Sequence, residues 1–256
     1  MQADGAESAI ALLVNRTGLV IALAVAAVVG LVFGIWPDLD LRLAAPFYDP
    51  DRGGYWRAFD ATYRFARDAI IWGIALVTMP AFAALAGKLM RPQWRLLIPG
   101  RAVLLMLITL ALGPGVLTNL VLKEHWGRPR PIDVAQFGGD EHFRPWWDPR
   151  GDCPKNCSFV SGEASGAFWT LAAAAVAPPP WRALAYGAAL AFGVSVSVLR
   201  MAAGAHFFTD VVFAGVFMFL LIWLVHGLLY RWPRTRITDA AVEKMLEWNK
   251  RIASSE

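Results

Sequence analysis

Long apolar stretches alternate with charged connections along this chain. Six of them approach the roughly 20 apolar residues that a helix needs to cross the hydrocarbon of a bilayer. They are residues 17–36, 69–87, 102–122, 165–177, 183–199 and 207–230. The fourth stretch is short, and we expect its helix to extend back through Ser161 into the polar region. The pattern predicts an all-α membrane protein, a bundle of six transmembrane helices with an extracytoplasmic cap of loops and helices.

Composition supports a membrane protein. Of the 256 residues, 57% are apolar and 17% are charged, against roughly 25% charged residues in an average soluble domain. The net charge of +4 is spread over the connections and does not resemble a nucleic-acid-binding surface. The first apolar stretch lacks a basic leading segment and a small-residue cleavage site, so we interpret it as an uncleaved helix and not as a signal peptide.

The connection over residues 88–101 gives the clearest indication of orientation. It contains four basic residues and no acidic one, which favours the cytoplasmic side. Arg231, Arg234 and Arg236 follow the last stretch on the same predicted side. Basic residues counted over all connections are equal on the two sides, so the orientation depends on these two segments. We predict one domain over residues 1–256, with 1–16 and 231–256 in the cytoplasm and 37–68 and 123–164 in the periplasm.

Two outer segments are rich in aromatic residues, and each has two interpretations. Residues 37–68 contain five arginines among aromatic side chains, a composition typical of a helix that lies at the membrane interface or of a packed cap over the bundle. Residues 136–147 form either a lid that contacts lipid headgroups or a packed loop. The tail over 239–256 has the pattern of a short amphipathic helix.

Ionisable residues gather at the predicted outer ends of four apolar stretches. Lys123 ends the third, Glu163 begins the fourth, Arg200 ends the fifth, and His206 and Asp210 begin the sixth. Charged side chains are costly near the hydrocarbon and mark functional sites by default. The sequence therefore predicts a functional site at the outer surface.

Three segments around these residues resemble the signature of the type 2 phosphatidic acid phosphatases. Lys123 is followed after six residues by Arg130 and Pro131. The second segment is Ser161, Gly162 and Glu163, and the third is Arg200, five residues, His206, three residues and Asp210. The family has Pro-Ser-Gly-His in its second segment, where this chain has Val-Ser-Gly-Glu, and Ser where this chain has Leu199. The order and spacing of all three segments carry the resemblance.

The resemblance implies a two-step route through a phosphohistidine at His206. His206 and Asp210 are four residues apart, so on a helix they share a face and the carboxylate can hold one ring nitrogen protonated. The structural alternative is that His206 and Asp210 only pair with each other at the end of a helix and take no part in catalysis. The family's second acid–base group is a histidine, and its position here is Glu163. Burial would raise the pKa of Glu163 and nearby cations would lower it.

A phosphate monoester carries about two negative charges, which cations and amide donors can bind. Lys123, Arg130 and Arg200 are the candidate cations, and Ser161 and the Gly162 amide lie at a predicted helix N-terminus, where an anion is favoured. Arg128 also precedes a proline, so the first segment could instead consist of Lys123, four residues and Arg128. We choose Arg130 by the family spacing and place Arg128 at the rim.

The remaining histidines and the two cysteines bear on metals and redox state. His125, His142 and His226 form no dense ligand cluster with one another, so we predict no metal and no cofactor. Cys153 and Cys157 lie four residues apart in a predicted periplasmic segment, where a disulfide is favoured.

These observations predict a lipid phosphatase in a bacterial inner membrane, with its active site facing the periplasm and with a lipid phosphate and membrane lipids as partners. Candidate substrates are lipid A, undecaprenyl pyrophosphate, phosphatidylglycerophosphate and phosphatidic acid. The Cys-x3-Cys pair before Ser-Phe-Val-Ser-Gly-Glu, with Phe-Gly-Gly upstream, is similar to the lipid A phosphatase branch. Two alternatives are a vanadate-dependent haloperoxidase, which resembles the same signature but is soluble, and a catalytically silent lipid-phosphate binder.

Overall fold

The computed structural model describes residues 16–253, so most of the predicted N-terminal cytoplasmic segment lies outside the described residues. This part of the chain is helical and contains no β-strand. The helices are α1 (Arg16–Ile35), α2 (Asp38–Ala44), α3 (Ala61–Met90), α4 (Gly100–His125), α5 (Gly162–Trp169), α6 (Leu171–Ala175), α7 (Pro179–Ala202), α8 (Phe208–Arg231) and α9 (Asp239–Ala253). Short 3-10 turns occur at Ala45–Phe47, Pro50–Arg52, Trp56–Phe59, Pro131–Asp133 and Ala135–Phe137.

Five helices are long and apolar enough to cross a membrane, namely α1, α3, α4, α7 and α8. The structure therefore confirms a helical protein with several candidate membrane spans, but it does not confirm the predicted number of six. The fourth apolar stretch forms α5 and α6, which are 8 and 5 residues long. Together they rise about 20 Å at about 1.5 Å per residue, less than the roughly 30 Å of a bilayer's hydrocarbon.

The two short helices form the centre of the bundle. Every residue from Ala164 to Ala172 is buried. The helix is interrupted at Thr170, where both the hydroxyl group and the backbone amide donate to the Ala167 carbonyl. Three consecutive prolines begin at Pro178, and they prevent α6 from extending towards α7. An apolar stretch of this length is typical of a buried core helix, which is what the structure contains.

Phe168 shows how closely the central helix is packed. A side chain added at Gly193 of α7 would place its Cβ 2.3 Å from the Phe168 ring, and one at Gly215 of α8 would lie 3.1 Å from it. Both glycines therefore let their helices approach α5. This close packing fixes the N-terminus of α5, which carries Glu163, against α7 and α8.

The second half of α4 is wound as a π-helix over Ala111–Leu122. Pro114 lies in this part and has no amide hydrogen to donate, which disturbs the regular hydrogen-bond ladder. The Asn119 side chain donates to the Pro114 carbonyl at 2.7 Å. π-Helical turns are frequent at functional sites, and here the wide turn ends at Lys123.

A cap of short helices and loops covers one end of the bundle. Tyr55 is buried there and packs against Tyr48 and Phe137, and Trp146 packs against Phe213 of α8. Packing therefore accounts for these four residues of the cap, whereas Phe59 and Phe65 are 72% and 75% exposed. Residues 37–60 form the short helix α2 and 3-10 turns in place of one long interfacial helix. Trp147 remains about half exposed.

The tail helix α9 lies at the other end of the bundle, as its sequence pattern predicts. Asp239 accepts hydrogen bonds from the backbone amide and the guanidinium of Arg101 at 2.9–3.2 Å. Lys88 is buried and donates to Glu247 at 2.6 Å. These ion pairs attach α9 to α3 and α4.

Candidate active site

The predicted site residues come together at the capped end of the bundle. Lys123 lies at the end of α4, and its ammonium nitrogen would be 3.5 Å from a Cβ added at Gly162, the first residue of α5. Arg200, near the end of α7, reaches Glu163 with an N–O distance of 3.4 Å. Arg130 comes from the loop after α4, near enough to Arg200 and Glu163 for their charges to act on it.

His206 is fully buried between α7 and α8. Its Nδ1 lies 2.8 Å from the Ser158 carbonyl oxygen. Because a carbonyl oxygen can only accept, this contact places the ring proton on Nδ1 and leaves the lone pair on Nε2. Nε2 has no hydrogen-bond partner among residues 16–253. The imidazole is therefore held in the tautomer that a nucleophile at Nε2 requires.

Asp210 does not hold that proton, contrary to the expectation from its spacing. The Asp210 Oδ2 atom lies 3.8 Å from His206 Nδ1 and accepts instead from the Ser158 hydroxyl at 2.5 Å and from the Phe207 amide at 2.8 Å. At this distance the carboxylate still stabilises a positive charge on the imidazole. Ser158 thus bridges the two residues, since its hydroxyl donates to Asp210 and its carbonyl accepts from His206.

Arg128 holds Asp210 in position. Its side chain is fully buried, and its guanidinium donates to Asp210 at 2.5 Å and to Asp40 of α2 at 2.7 Å. Thr209 also bonds to both Arg128 and Asp40. The predicted rim position of Arg128 is therefore wrong. Burial alone would lower the pKa of Arg128, but Asp210 and Asp40 raise it above its ordinary value and keep the guanidinium charged.

Glu163 is surrounded by cations. Its Oε1 atom accepts from Arg67 of α3 at 3.2 Å and lies 3.4 Å from Arg200. Burial raises the pKa of Glu163, but the charge of Arg200, the His206 imidazole where it is protonated, a backbone hydrogen bond and the charge of Lys123 outweigh it and lower the pKa to about 2. Glu163 is therefore ionised at neutral pH. Nothing in the sequence pattern indicated Arg67, which lies outside the three signature segments.

Arg200 has one further contact and one unused donor. Its guanidinium forms a short hydrogen bond to the Tyr63 hydroxyl of α3, which orients the planar group. The Arg200 Nε atom, like His206 Nε2, is buried without a hydrogen-bond partner in the described part of the chain. Buried polar atoms without partners are rare because they destabilise a fold. A phosphate oxygen would accept from Arg200 Nε, and the lone pair of His206 Nε2 would then face the phosphorus atom.

Ser161 caps the N-terminus of α5. Its hydroxyl oxygen accepts from the Ala164 amide at 3.3 Å, which is a regular N-cap contact. The hydroxyl hydrogen remains free to donate to an anion. Arg130 is held at the same edge by a 2.7 Å hydrogen bond to the Asn156 carbonyl.

A cavity of about 330 Å³ opens beside these groups, between α3, α4 and α5. Its lining combines two apolar residues with four polar or backbone groups. They are Ile71, Ile74, Asn119, Lys123, Gly162 and Glu163. The mixed lining suits a molecule that carries both an apolar part and an anionic group.

Cys153 and Cys157 are joined by a disulfide with a Cα–Cα distance of 5.8 Å. The Cys157 amide donates to the Lys123 carbonyl at 2.9 Å. Ser158 follows directly, and its carbonyl and hydroxyl contact His206 and Asp210. The bridge therefore constrains the loop that orients the imidazole.

Comparison with known proteins identifies the family. The family model of the PAP2 superfamily matches residues 102–236, a little over half of the chain. The chain belongs to the PAP2 superfamily. The matched range contains all three signature segments, and it leaves out Asp40, Tyr63 and Arg67, which contact the site from α2 and α3.

Relatives within the PAP2 superfamily extend the match. The chain is 35% identical over 221 residues to the lipid A 4′-phosphatase of Francisella tularensis subsp. novicida (strain U112), covering 84% of this chain and 97% of that protein. It is 44% identical over 104 residues to the lipid A 4′-phosphatase of Rhizobium leguminosarum, covering 41% of this chain and 45% of that protein. No solved structure matches the chain.

The PAP2 site gives a pH dependence that can be measured. Burial lowers the pKa of His206 from 6.5 to about 4, against the opposing effect of Asp210. Between these values an unfolded chain binds a proton that the folded protein does not, so stability is full above pH 6.5 and falls as the pH decreases through this window. The loss amounts to about 3 kcal/mol.

Thermal unfolding of the purified protein at several pH values between about 7 and about 4.5 measures this loss. His206→Gln removes the titrating group, and we expect its midpoint to fall less steeply with decreasing pH than that of the wild type. Equal slopes for the two proteins would contradict a buried, neutral His206.

Proposed function

We propose that the protein hydrolyses a phosphate monoester of lipid A through a phosphohistidine at His206. The observation that carries the proposal is the pair of buried, unpartnered atoms His206 Nε2 and Arg200 Nε, which lie beside the predicted cation Lys123 in a PAP2 chain. The relative that matches most of the chain bears the name lipid A 4′-phosphatase, which supports the 4′-phosphate as the group removed.

In the first step, the lone pair of His206 Nε2 attacks phosphorus, and the bond between phosphorus and the lipid oxygen breaks. The imidazole becomes positively charged, which the Ser158 carbonyl and the Asp210 carboxylate favour. Lys123, Arg130 and Arg200 balance the charge on the phosphoryl oxygens, where cations supply most of the catalysis.

The departing lipid oxygen needs a proton, and Glu163 is the candidate donor. The unliganded protein holds Glu163 ionised, with a pKa of about 2. A bound phosphate brings about two negative charges to the same cations, which raises the pKa of Glu163 and favours its protonation. After donating the proton, the carboxylate can accept one from the water that cleaves the bond between phosphorus and His206.

We further propose that the site faces the periplasm of a bacterial inner membrane, with the whole chain acting as one membrane domain. α5 and α6 run from the site end towards the start of α7, so they return the chain inside the bundle as a sixth, short crossing. With this path, Arg16 at the start of α1 and Arg231 at the end of α8 lie at the same end of the bundle. The basic connection over residues 88–101 and the disulfide of the opposite segment support this orientation.

Phosphate release from four lipids by the reconstituted protein tests the function. We expect release from lipid A to exceed release from undecaprenyl pyrophosphate, phosphatidylglycerophosphate and phosphatidic acid by about tenfold or more, as a site built for one headgroup discriminates. A faster reaction with another of these lipids would overturn the substrate assignment. Lipid A binding without release would favour the silent binder that the replacement of histidine by Glu163 suggests.

Glu163→Gln keeps the size of the side chain and removes its acid–base chemistry. We expect turnover of lipid A to fall by about 10²–10⁴-fold, the usual contribution of a general acid or base. Glu124→Gln is the matched control, since Glu124 directly follows Lys123 at the end of α4 but forms no ion pair with a site residue in the described part of the chain. Full turnover by Glu163→Gln would exclude Glu163 from proton transfer.

A further inference from the structure

Tyr186 of α7 carries a buried hydroxyl group that the described part of the chain does not satisfy. The residue lies towards the end of the bundle opposite the candidate active site and is 4% exposed. Its hydroxyl oxygen is buried and has no hydrogen-bond partner within residues 16–253. A buried hydroxyl group without a partner destabilises a fold. The hydroxyl therefore needs a partner that residues 16–253 do not supply.

Arg182, one turn before Tyr186, carries a positive charge that no described carboxylate pairs with. Two other cations at this end of the bundle have carboxylate partners. These are the pairs Lys88–Glu247 and Arg101–Asp239, with N–O distances of 2.6 and 2.9 Å. Arg182 instead donates from Nε to the Ala177 carbonyl at 3.2 Å, and no carboxylate within residues 16–253 pairs with it. Its charge acts on the Tyr186 hydroxyl, so the two groups together favour an anion.

An apolar cavity of about 400 Å³ continues from Tyr186 towards the middle of the bundle. Leu190 and Val194 line it at successive four-residue steps, so Arg182, Tyr186, Leu190 and Val194 form one face of α7. Helices α1 and α8, together with Phe168 of α5 and Leu171 of α6, supply the other walls. The volume lies within the range of about 300–1,000 Å³ that is usual for small-molecule sites. The groove thus has an apolar body that reaches Tyr186, and Arg182 lies one turn beyond it on the same face of α7.

We propose that this groove binds an anionic phospholipid from the leaflet opposite the candidate active site. The lipid phosphate accepts hydrogen bonds from the Arg182 guanidinium and the Tyr186 hydroxyl, and one acyl chain fills the cavity. Basic pockets between transmembrane helices are suited to anionic headgroups. A free inorganic anion does not account for the whole groove, because it would leave the apolar cavity beyond Tyr186 unoccupied.

The groove also contacts the helix that carries Glu163. Phe168 of α5 lines the cavity and lies five residues after Glu163 in the sequence. An acyl chain in the cavity packs against Phe168 and so supports α5 from the side opposite the substrate phosphate. The bound lipid is structural, and it remains distinct from the substrate.

Native mass spectrometry of the full chain tests the site after reconstitution with equal amounts of phosphatidylcholine and phosphatidylglycerol. We expect the wild type to retain phosphatidylglycerol in preference to phosphatidylcholine. Arg182→Gln should lower the retained phosphatidylglycerol by about tenfold, as for a lost hydrogen bond to a charged group. Arg95→Gln is the matched control, because Arg95 is an exposed cation in the connection at the same end, and its retention should equal that of the wild type.

Two more variants separate the headgroup from the chain. Leu190→Trp fills the cavity while keeping both polar groups, and it should also lower the retention of phosphatidylglycerol. Tyr186→Phe removes the unpartnered hydroxyl, so in phosphatidylcholine vesicles it should unfold at the wild-type temperature or above. In vesicles with phosphatidylglycerol it should unfold below the wild type. Equal retention of the two lipids by the wild type, or equal retention by Arg182→Gln and Arg95→Gln, would overturn the proposal.

Discussion

His206→Ala is expected to lower phosphate release from lipid A by about a thousandfold or more. The imidazole is the group with a free, buried lone pair in the cation-lined site, since Nδ1 is occupied by the Ser158 carbonyl. Alanine removes the nucleophile and leaves Lys123, Arg130 and Arg200 in place. Binding of lipid A should therefore persist while turnover is lost, and steady-state phosphate release with a separate lipid-binding assay measures both.

His226→Ala is the control for the loss of a histidine ring. His226 lies on the same helix as Asp210, at the end of α8 away from the site, where its ring stacks on Tyr230. We expect this variant to retain turnover near the wild-type level. Comparable turnover by His206→Ala and the wild type would exclude a covalent role for His206.

Arg128→Met is expected to destabilise the protein by about 3–5 kcal/mol and to abolish turnover. The substitution leaves two buried carboxylates, Asp40 and Asp210, without the guanidinium that neutralises them, and the loss of one partner of a buried ion pair costs about this much. Asp210 also loses the contact that fixes its position beside His206. Chemical unfolding in detergent and phosphate release give the two quantities.

A double variant separates stability from positioning. Asp40→Asn removes one uncompensated charge, so Arg128→Met with Asp40→Asn should recover part of the lost stability and little of the turnover. Arg144→Met, which removes a half-exposed guanidinium 3.6 Å from Asp148, should have a small effect on both. Full recovery of turnover in the double variant would show that Arg128 acts on folding alone.

Sequence reasoning reached the site because charged residues at the ends of apolar stretches are unusual and can be counted. Lys123, Glu163, Arg200, His206 and Asp210 occupy such positions, and the structure brings them to one end of the bundle. The family resemblance supplied the spacing that selected Arg130 over Arg128. The spacing of His206 and Asp210 correctly placed them near each other, but it could not show that the Ser158 carbonyl accepts the hydrogen bond from His206 Nδ1.

The remaining features depend on tertiary contacts that no local pattern records. Asp40 and Arg67 join the site from α2 and α3, far away in sequence, and neither lies in a recognisable motif. The fourth apolar stretch has the composition of a short span, and only its burial shows that it is a core helix. The pKa of Glu163 depends on two opposing effects, its burial and the nearby cations. Their balance follows only from the distances between Glu163 and those cations.

Covalent phosphate on residue 206 is the most direct measure of the proposed route. The wild type, mixed with lipid A and quenched within milliseconds to seconds under alkaline conditions that preserve a phosphohistidine, should show the mass of one added phosphate on the peptide that contains His206. Glu163→Gln, which slows both steps, is quenched over longer times. The same experiment with His206→Ala should show none. Phosphate release from lipid A by the wild type, with no phosphate found on His206 in any quenched sample of wild type or Glu163→Gln, would contradict the account.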